Sequence, residues 1–320
     1  MLTPRENFIR FLKNEDYEWT PTNADQLQFR PTLILDHVAR GMVAQQNPYT
    51  GEYGGKDLFG IDWVFEPSVG GSMEVAPLFD EIEDWEDHVV FPDVDAMDWE
   101  GCAKENAEYL NTDKVVFSTI YTGYFERLIS FVGFENSAMA LIDEDQQEEV
   151  HKIFEKLTEV YIKLVQRLHR HFNVEILEIH DDWGTQRDTM FSTATLKEMI
   201  LPYMSKVVEA AHAEGVFVEL HSCGKIDSFI PAVIEAGFDT WRGQSAVIDK
   251  KTLVEKYGSE FKFGVEIRPA GPVSDEEALA MAKDVFDTYH DKRVWVVLAR
   301  TLAPAQRDAI YCMIREVGVI

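Results

Sequence analysis

Apolar and polar positions along the chain alternate between two periods. Between Gln146 and His171, Val150, Ile153, Phe154, Leu157, Val160, Tyr161, Leu164 and Leu168 recur at helical spacing and mark a long amphipathic helix. On either side, short apolar runs bounded by turn residues read as buried strands. They are Val115–Ile120, Val174–His180, the run from Val216, Asp239–Arg242, Phe261–Ile267 and Arg293–Leu298. Helical stretches separate them, from about Thr195 to Ala213, near Asp227–Ala236, from Lys250, near Ser274–His290 and from Pro304. Two earlier runs, Trp19–Asp25 and Ile61–Phe65, bring the strand count to eight. Alternating strand and helix implies a parallel sheet, and eight units in about 300 residues is the size of a (β/α)8 TIM barrel. A doubly wound open sheet is the alternative, but no Gly-x-Gly-x-x-Gly follows the first strand. No compositional shift marks a boundary, so residues 1–320 read as one domain. Thr3-Pro4-Arg5-Glu6 opens an N-terminal helical extension with a capping box and proline at the first helical position. Pro67–Met97 is rich in Gly, Pro and acid and reads as loops and short pieces, with Gly70-Gly71-Ser72-Met73 as a candidate substrate-covering loop.

Composition narrows the setting. Hydrophobic residues make up 46% and aromatics 12%, enough for a full core, and no apolar run approaches the ~20 residues of a membrane helix. A formal charge of −27 argues against nucleic acid as a partner, because phosphate binding needs clustered Lys and Arg. Cys102, Cys223 and Cys312 are far apart and odd in number, which fits a reducing compartment rather than a disulfide framework. With a helix start in place of a signal peptide, the expected location is cytoplasmic.

The chemistry gathers where the strands end, which in a barrel is the mouth that carries the active site. Those ends hold Asn23 and Asp25, Tyr121, His180-Asp181-Asp182, His221 and Cys223, Gln244, Glu266 and Arg300. His221 and Cys223 are two apart on an extended run, so their side chains leave the same face. Imidazole and thiolate are ligands that zinc prefers, and the pair is the candidate metal site.

From Tyr124 to Ile267 the sequence resembles the uroporphyrinogen decarboxylase superfamily, which includes corrinoid-linked methyltransferases. Gly123…Gly133-Phe134-Glu135, His180-Asp181-Asp182-Trp183-Gly184-Thr185-Gln186, Leu201-Pro202-Tyr203, Leu220-His221-Ser222-Cys223-Gly224 and Glu235-Ala236-Gly237-Phe238-Asp239 carry the resemblance. True decarboxylases share an arginine-rich Met-Arg-Gln-Ala-Gly-Arg segment that meets substrate carboxylates. The corresponding Pro21–Arg30 stretch has one arginine and an added acid, Asp25, so decarboxylation is disfavoured. The methyltransferase branch carries His-x-Cys-Gly, as His221–Gly224 do. That resemblance implies zinc held by His221, Cys223 and a third ligand, commonly a Cys after the last strand. Leu298-Ala299-Arg300-Thr301 has none there, so Glu266 comes first as third ligand, ahead of Cys312 and Asp182. It further implies methyl transfer from a small donor, such as a methyl aryl ether, to the corrinoid of a partner protein. The reverse reading is methyl transfer from that corrinoid to a thiol of the coenzyme M type. Asp181, Asp182 and Tyr121 are the expected catalytic residues. Asn23, Asp25, Tyr124, Trp183, Gln244 and Arg300 are expected at the substrate, with Phe65 in the apolar wall. The loops at Gly70 and Tyr124 are candidate contacts for the corrinoid protein, and family analogy implies a homodimer. A non-catalytic barrel binding a corrinoid or small ligand is the reading from another class.

Overall fold

A computed structural model describes residues 1–43, 49–68, 71–244 and 246–319. It is an α/β fold in which parallel strands alternate with helices, as the periodicity predicts, and the fold class is that of the TIM barrel. The strands are β1 Gln26–Gln28, β2 Gly55–Lys56, β3 Asp62–Glu66, β4 Gly71–Glu74, β5 Val115–Ile120, β6 Ile176–His180, β7 Phe217–Ser222, β8 Thr240–Gly243, β9 Lys262–Ile267 and β10 Val294–Leu298. Parallel strands neighbour one another in the orders β5-β6-β7 and β8-β9-β10, and β2-β3-β4 form an antiparallel sheet.

By compactness the chain divides into residues 1–27, 112–115 and 239–320 in one unit and 28–111 and 116–238 in the other. In the first unit β8 pairs with β9 and β9 with β10, all parallel, and Thr22 bridges Val296 in parallel. The expected strand Trp19–Asp25 is shortened to that bridge. Thr22 and Asp25 cap a 3-10 turn over Asn23–Asp25, which breaks the extended run before β1. The N-terminal helix Pro4–Leu12 has the expected Thr3/Glu6 capping box and buries Phe8, Phe11 and Leu12.

In the second unit β5 pairs with β6 and β6 with β7, parallel, and their side chains are buried almost throughout. That is why these strands read as unbroken apolar runs. The helix Gln147–Phe172 carries the predicted stripe inward. Two expectations are corrected here. Ile61–Phe65 is not a strand of the parallel sheet; its core residues form the centre of the antiparallel β2-β3-β4, whose alternating burial is that of a one-sided sheet. Gly71-Ser72-Met73 is strand β4 rather than a covering loop, while Gly70 lies outside the described residues. No helix among the described residues is long and apolar enough to cross a membrane.

Candidate metal centre

The centre is built where β6 and β7 end side by side. Parallel register places His180 opposite His221, and their rings stack with centroids 4.6 Å apart and planes 15° apart. Tyr121, just past β5, stacks on the other side of His180 at 4.6 Å and 15°. Two residues back on the same strand faces, Glu178 and Glu219 are likewise opposite one another and buried.

The loops that follow are laced together by backbone groups. Asp181 N–H donates to His221 O (3.0 Å), Trp183 N–H to Ser222 Oγ (2.9 Å), Cys223 N–H to Asp182 Oδ1 (2.6 Å) and Lys225 N–H to Thr185 O (2.8 Å). Gly224 has φ +76°, and a Cβ there would overlap the Gly184 carbonyl. Only glycine allows both the left-handed turn and that approach. The glycine of His-Ser-Cys-Gly therefore lets the two loops close on each other, which holds Asp182 against Cys223.

Within this frame one ligand atom each from His180, Asp182 and His221 lies within 4.8 Å of the others, a group that can hold a metal ion. Cys223 Sγ lies 3.6 Å from His221 Nε2. The donor chemistry fits zinc, which takes imidazole nitrogen, carboxylate oxygen and thiolate. Ligand atoms around one tetrahedral ion sit roughly 3.4 Å apart, so side-chain adjustments of about an ångström close the set.

Electrostatics also favour a cation here. His180 Nδ1 lies 2.8 Å from Glu126 Oε2, and Arg40 holds the other Glu126 oxygen at 3.1 Å. Burial opposes charging His180, but Glu126, joined by Asp182 and Glu178, takes the ring up to about 9. Burial also works against the charge on Glu126, and His180 and Arg40 overcome it, bringing that carboxyl down to about 2. Burial and the adjacent Asp182 carboxylate push the Cys223 thiol up.

Of the expected site residues, the structure brings His221, Cys223, Asp182 and Tyr121 together. Of the three third-ligand candidates, Asp182 is the carboxylate grouped with His221, while Glu266 lies on β9, clasped by Arg268 at 2.8 and 3.0 Å. Cys312 is exposed on the helix Pro304–Val317. Asp181, expected among the catalytic residues, serves the backbone here. Its buried carboxylate receives the N–H groups of Tyr124, Phe125 and Glu126 at 2.8–3.0 Å and so caps the helix Tyr124–Val132. Burial, with the nearby Glu126 carboxylate, pushes its pKa up to about 7 against the N–H groups of Glu126 and Phe125.

The residues expected at the substrate are placed as follows. Asn23 binds both the N–H and the carbonyl of Leu298. Asp25 is buried and accepts from Thr22 N, Thr22 Oγ1, Trp19 Nε1 and Tyr311 Oη. Tyr124 is buried with its hydroxyl on Thr158, and Trp183 is buried. Gln244 follows β8 half-buried, and Arg300 is exposed after β10. Phe65 is half-buried in β3 against Tyr53. These outcomes share a cause: polar groups at strand ends must first satisfy the backbone around them.

Sequence reasoning missed His180 as a ligand and Glu126 and Arg40 altogether. His180 was visible as a strand-end residue two positions from Asp182. Glu126 and Arg40 carry no local signal, because 54 and 140 residues separate them from His180.

The class is a parallel α/β fold that gathers, at strand ends, a histidine–carboxylate group able to hold a metal ion. Residues 109–261 match the model of the uroporphyrinogen decarboxylase (URO-D) family, the resemblance read from the sequence. Among solved structures, a methyltransferase from Methanosarcina mazei has a TM-score of 0.70 at 13% identity, with 99% of each chain covered. The intracellular xylanase TsXylA of Thermoanaerobacterium saccharolyticum has a TM-score of 0.39 at 12% identity, covering 63% of this chain and 70% of its own. No curated protein matches. At these identities the likeness is one of fold.

Proposed function

We propose that this chain is a zinc-dependent methyltransferase that moves a methyl group from a small O-methyl donor, such as a methyl aryl ether, to a corrinoid carried by a partner protein. The observation that carries this reading is the gathering of His180, Asp182 and His221, with Cys223 against His221, at the ends of β6 and β7. The URO-D match and the fold shared with a methyltransferase support it. His180, Asp182, His221 and Cys223 would hold the ion, which supplies Lewis acidity for a departing oxygen. Around it the chain's own groups have separable tasks. Glu126 and Arg40 keep His180 in place. Asp181 anchors the helix that carries Glu126. Tyr121 is buried enough that its phenol stays protonated, so it serves as a hydrogen-bond donor to the leaving oxygen rather than as a base.

Decarboxylation of a many-carboxylate substrate is disfavoured by where the arginines go. Arg30 is buried and bound to Thr119, Gln28 and Glu178. Transfer to a thiol is the second reading. A donor set with one sulfur among nitrogen and oxygen ligands is harder than a two-thiolate site, which favours the demethylating direction. Free Cys102, Cys223 and Cys312 suit a reducing cytoplasm.

The test is zinc content and methyl transfer to a Co(I) corrinoid protein, compared among wild type, His221→Ala and Cys223→Ala. Both variants should lose metal and at least ~100-fold in rate. Folded variants with the wild-type metal load and rate would overturn the proposal.

A further inference from the structure

We propose that Glu126 is a positioning residue for this centre, selecting which edge of the His180 ring is offered to an ion shared with Asp182 and His221. The inference rests on the metal reading of the preceding section. Stacking between Tyr121 and His221 fixes the plane of the His180 ring, but a ring flipped by 180° fills the same slot. Something must choose the edge. Glu126 Oε2 does so from 2.8 Å, because a carboxylate can only accept and Nδ1 must then carry the proton. Nε2 is left with its lone pair, and a carboxylate on the far nitrogen makes that lone pair more basic.

Glu126 is itself held from two directions. Arg40 Nη2 holds Oε1 at 3.1 Å, and Arg40 is held by Thr122 Oγ1 at 3.2 Å and by the face of Trp63, 4.3 Å from its guanidinium carbon. Glu126 N–H donates to Asp181 Oδ1 at 2.8 Å, which ties its backbone to the end of β6, the strand that carries His180. A carboxylate fastened to both a cation and its own strand-end partner cannot follow the ring if it turns. The Arg40–Glu126–His180 chain thus runs from Trp63 on β3 to the metal centre, and its geometry is fixed before any ion arrives.

Zinc affinity of the metal-stripped protein, read by competition with a chromophoric chelator, tests this together with the visible spectrum of the Co(II) form. Glu126→Gln keeps an acceptor oxygen but loses the charge and should weaken zinc by ~10-fold. Glu126→Ala should cost up to ~100-fold, and both should shift the Co(II) bands. A purely structural role would lower the urea midpoint and leave the spectrum of the folded fraction unchanged. If both variants bind zinc like wild type and keep its Co(II) spectrum, while His221→Ala loses zinc, the positioning role is wrong and the metal reading stands. A wild type that takes up no zinc overturns both.

Discussion

His180 shows how a single side chain can be tuned by what it lacks as much as by what it touches. Without a metal, its pKa is raised to about 9 from an ordinary 6.5, because the carboxylates of Glu126, Asp182 and Glu178 together outweigh burial. The folded protein therefore holds this proton more tightly than the unfolded chain does. The stability it contributes is complete below about pH 6.5 and is lost as pH climbs through about 9. A metal needs the ring neutral, so zinc affinity moves the other way and rises with pH across the same window. Two measurements check the pair: urea midpoints of the metal-stripped protein across that range, which should fall, and calorimetry in buffers of different ionisation enthalpy, which should show proton release on zinc binding. At this scale the sequence was partly legible. His221 and Cys223 announce themselves by spacing on one strand. His180 joins that pair only through its neighbour strand, because pairing across β6 and β7 is not written in either.

At the scale of elements, the ion triad Arg127–Asp36–Asp57 joins the helix Tyr124–Val132 to the short helix Leu35–Ala39 and to the turn that opens β3. All three side chains are buried, Asp57 also accepts from Trp63 Nε1, and Arg127 lies over Phe59 at 4.2 Å. Arg127→Met should cost about 3–5 kcal/mol in urea unfolding, because it strands two buried carboxylates. Replacing all three residues by apolar ones should not recover that loss, because the N–H groups of Leu58, Phe59 and Ile61 and Trp63 Nε1 would lose their acceptors. The antiparallel β2-β3-β4 was the element least legible in the sequence. Ile61–Phe65 has strand composition, and only the register of Trp63 with Glu74 and of Phe65 with Ser72 shows which sheet it joins. The long helix and the strands β5 to β7 were legible because full burial leaves uninterrupted apolar runs and helical stripes.

For the whole molecule, a charge of −27 is a uniform stress on the folded state, since like charges are closer there than in the unfolded chain. Raising salt from about 0.05 to about 0.5 M shortens the Debye length several-fold and should raise the urea midpoint of the metal-stripped protein. A flat salt response would mean that the acidic surface is already paired locally. Composition and periodicity determined by themselves the α/β class, the alternation of strand with helix, the amphipathic helices and the imidazole–thiol pair. These are properties of short stretches, where a period of two or 3.6 residues decides which side chains share a face. Only the tertiary structure decided which carboxylate stands beside His221, that Asp181 caps a helix, and that Asn23 and Asp25 are taken up by neighbouring backbone and side-chain groups. Those outcomes depend on which strand ends become neighbours and on the requirement that every buried donor and acceptor be met, and neither is a property of any one stretch of the chain.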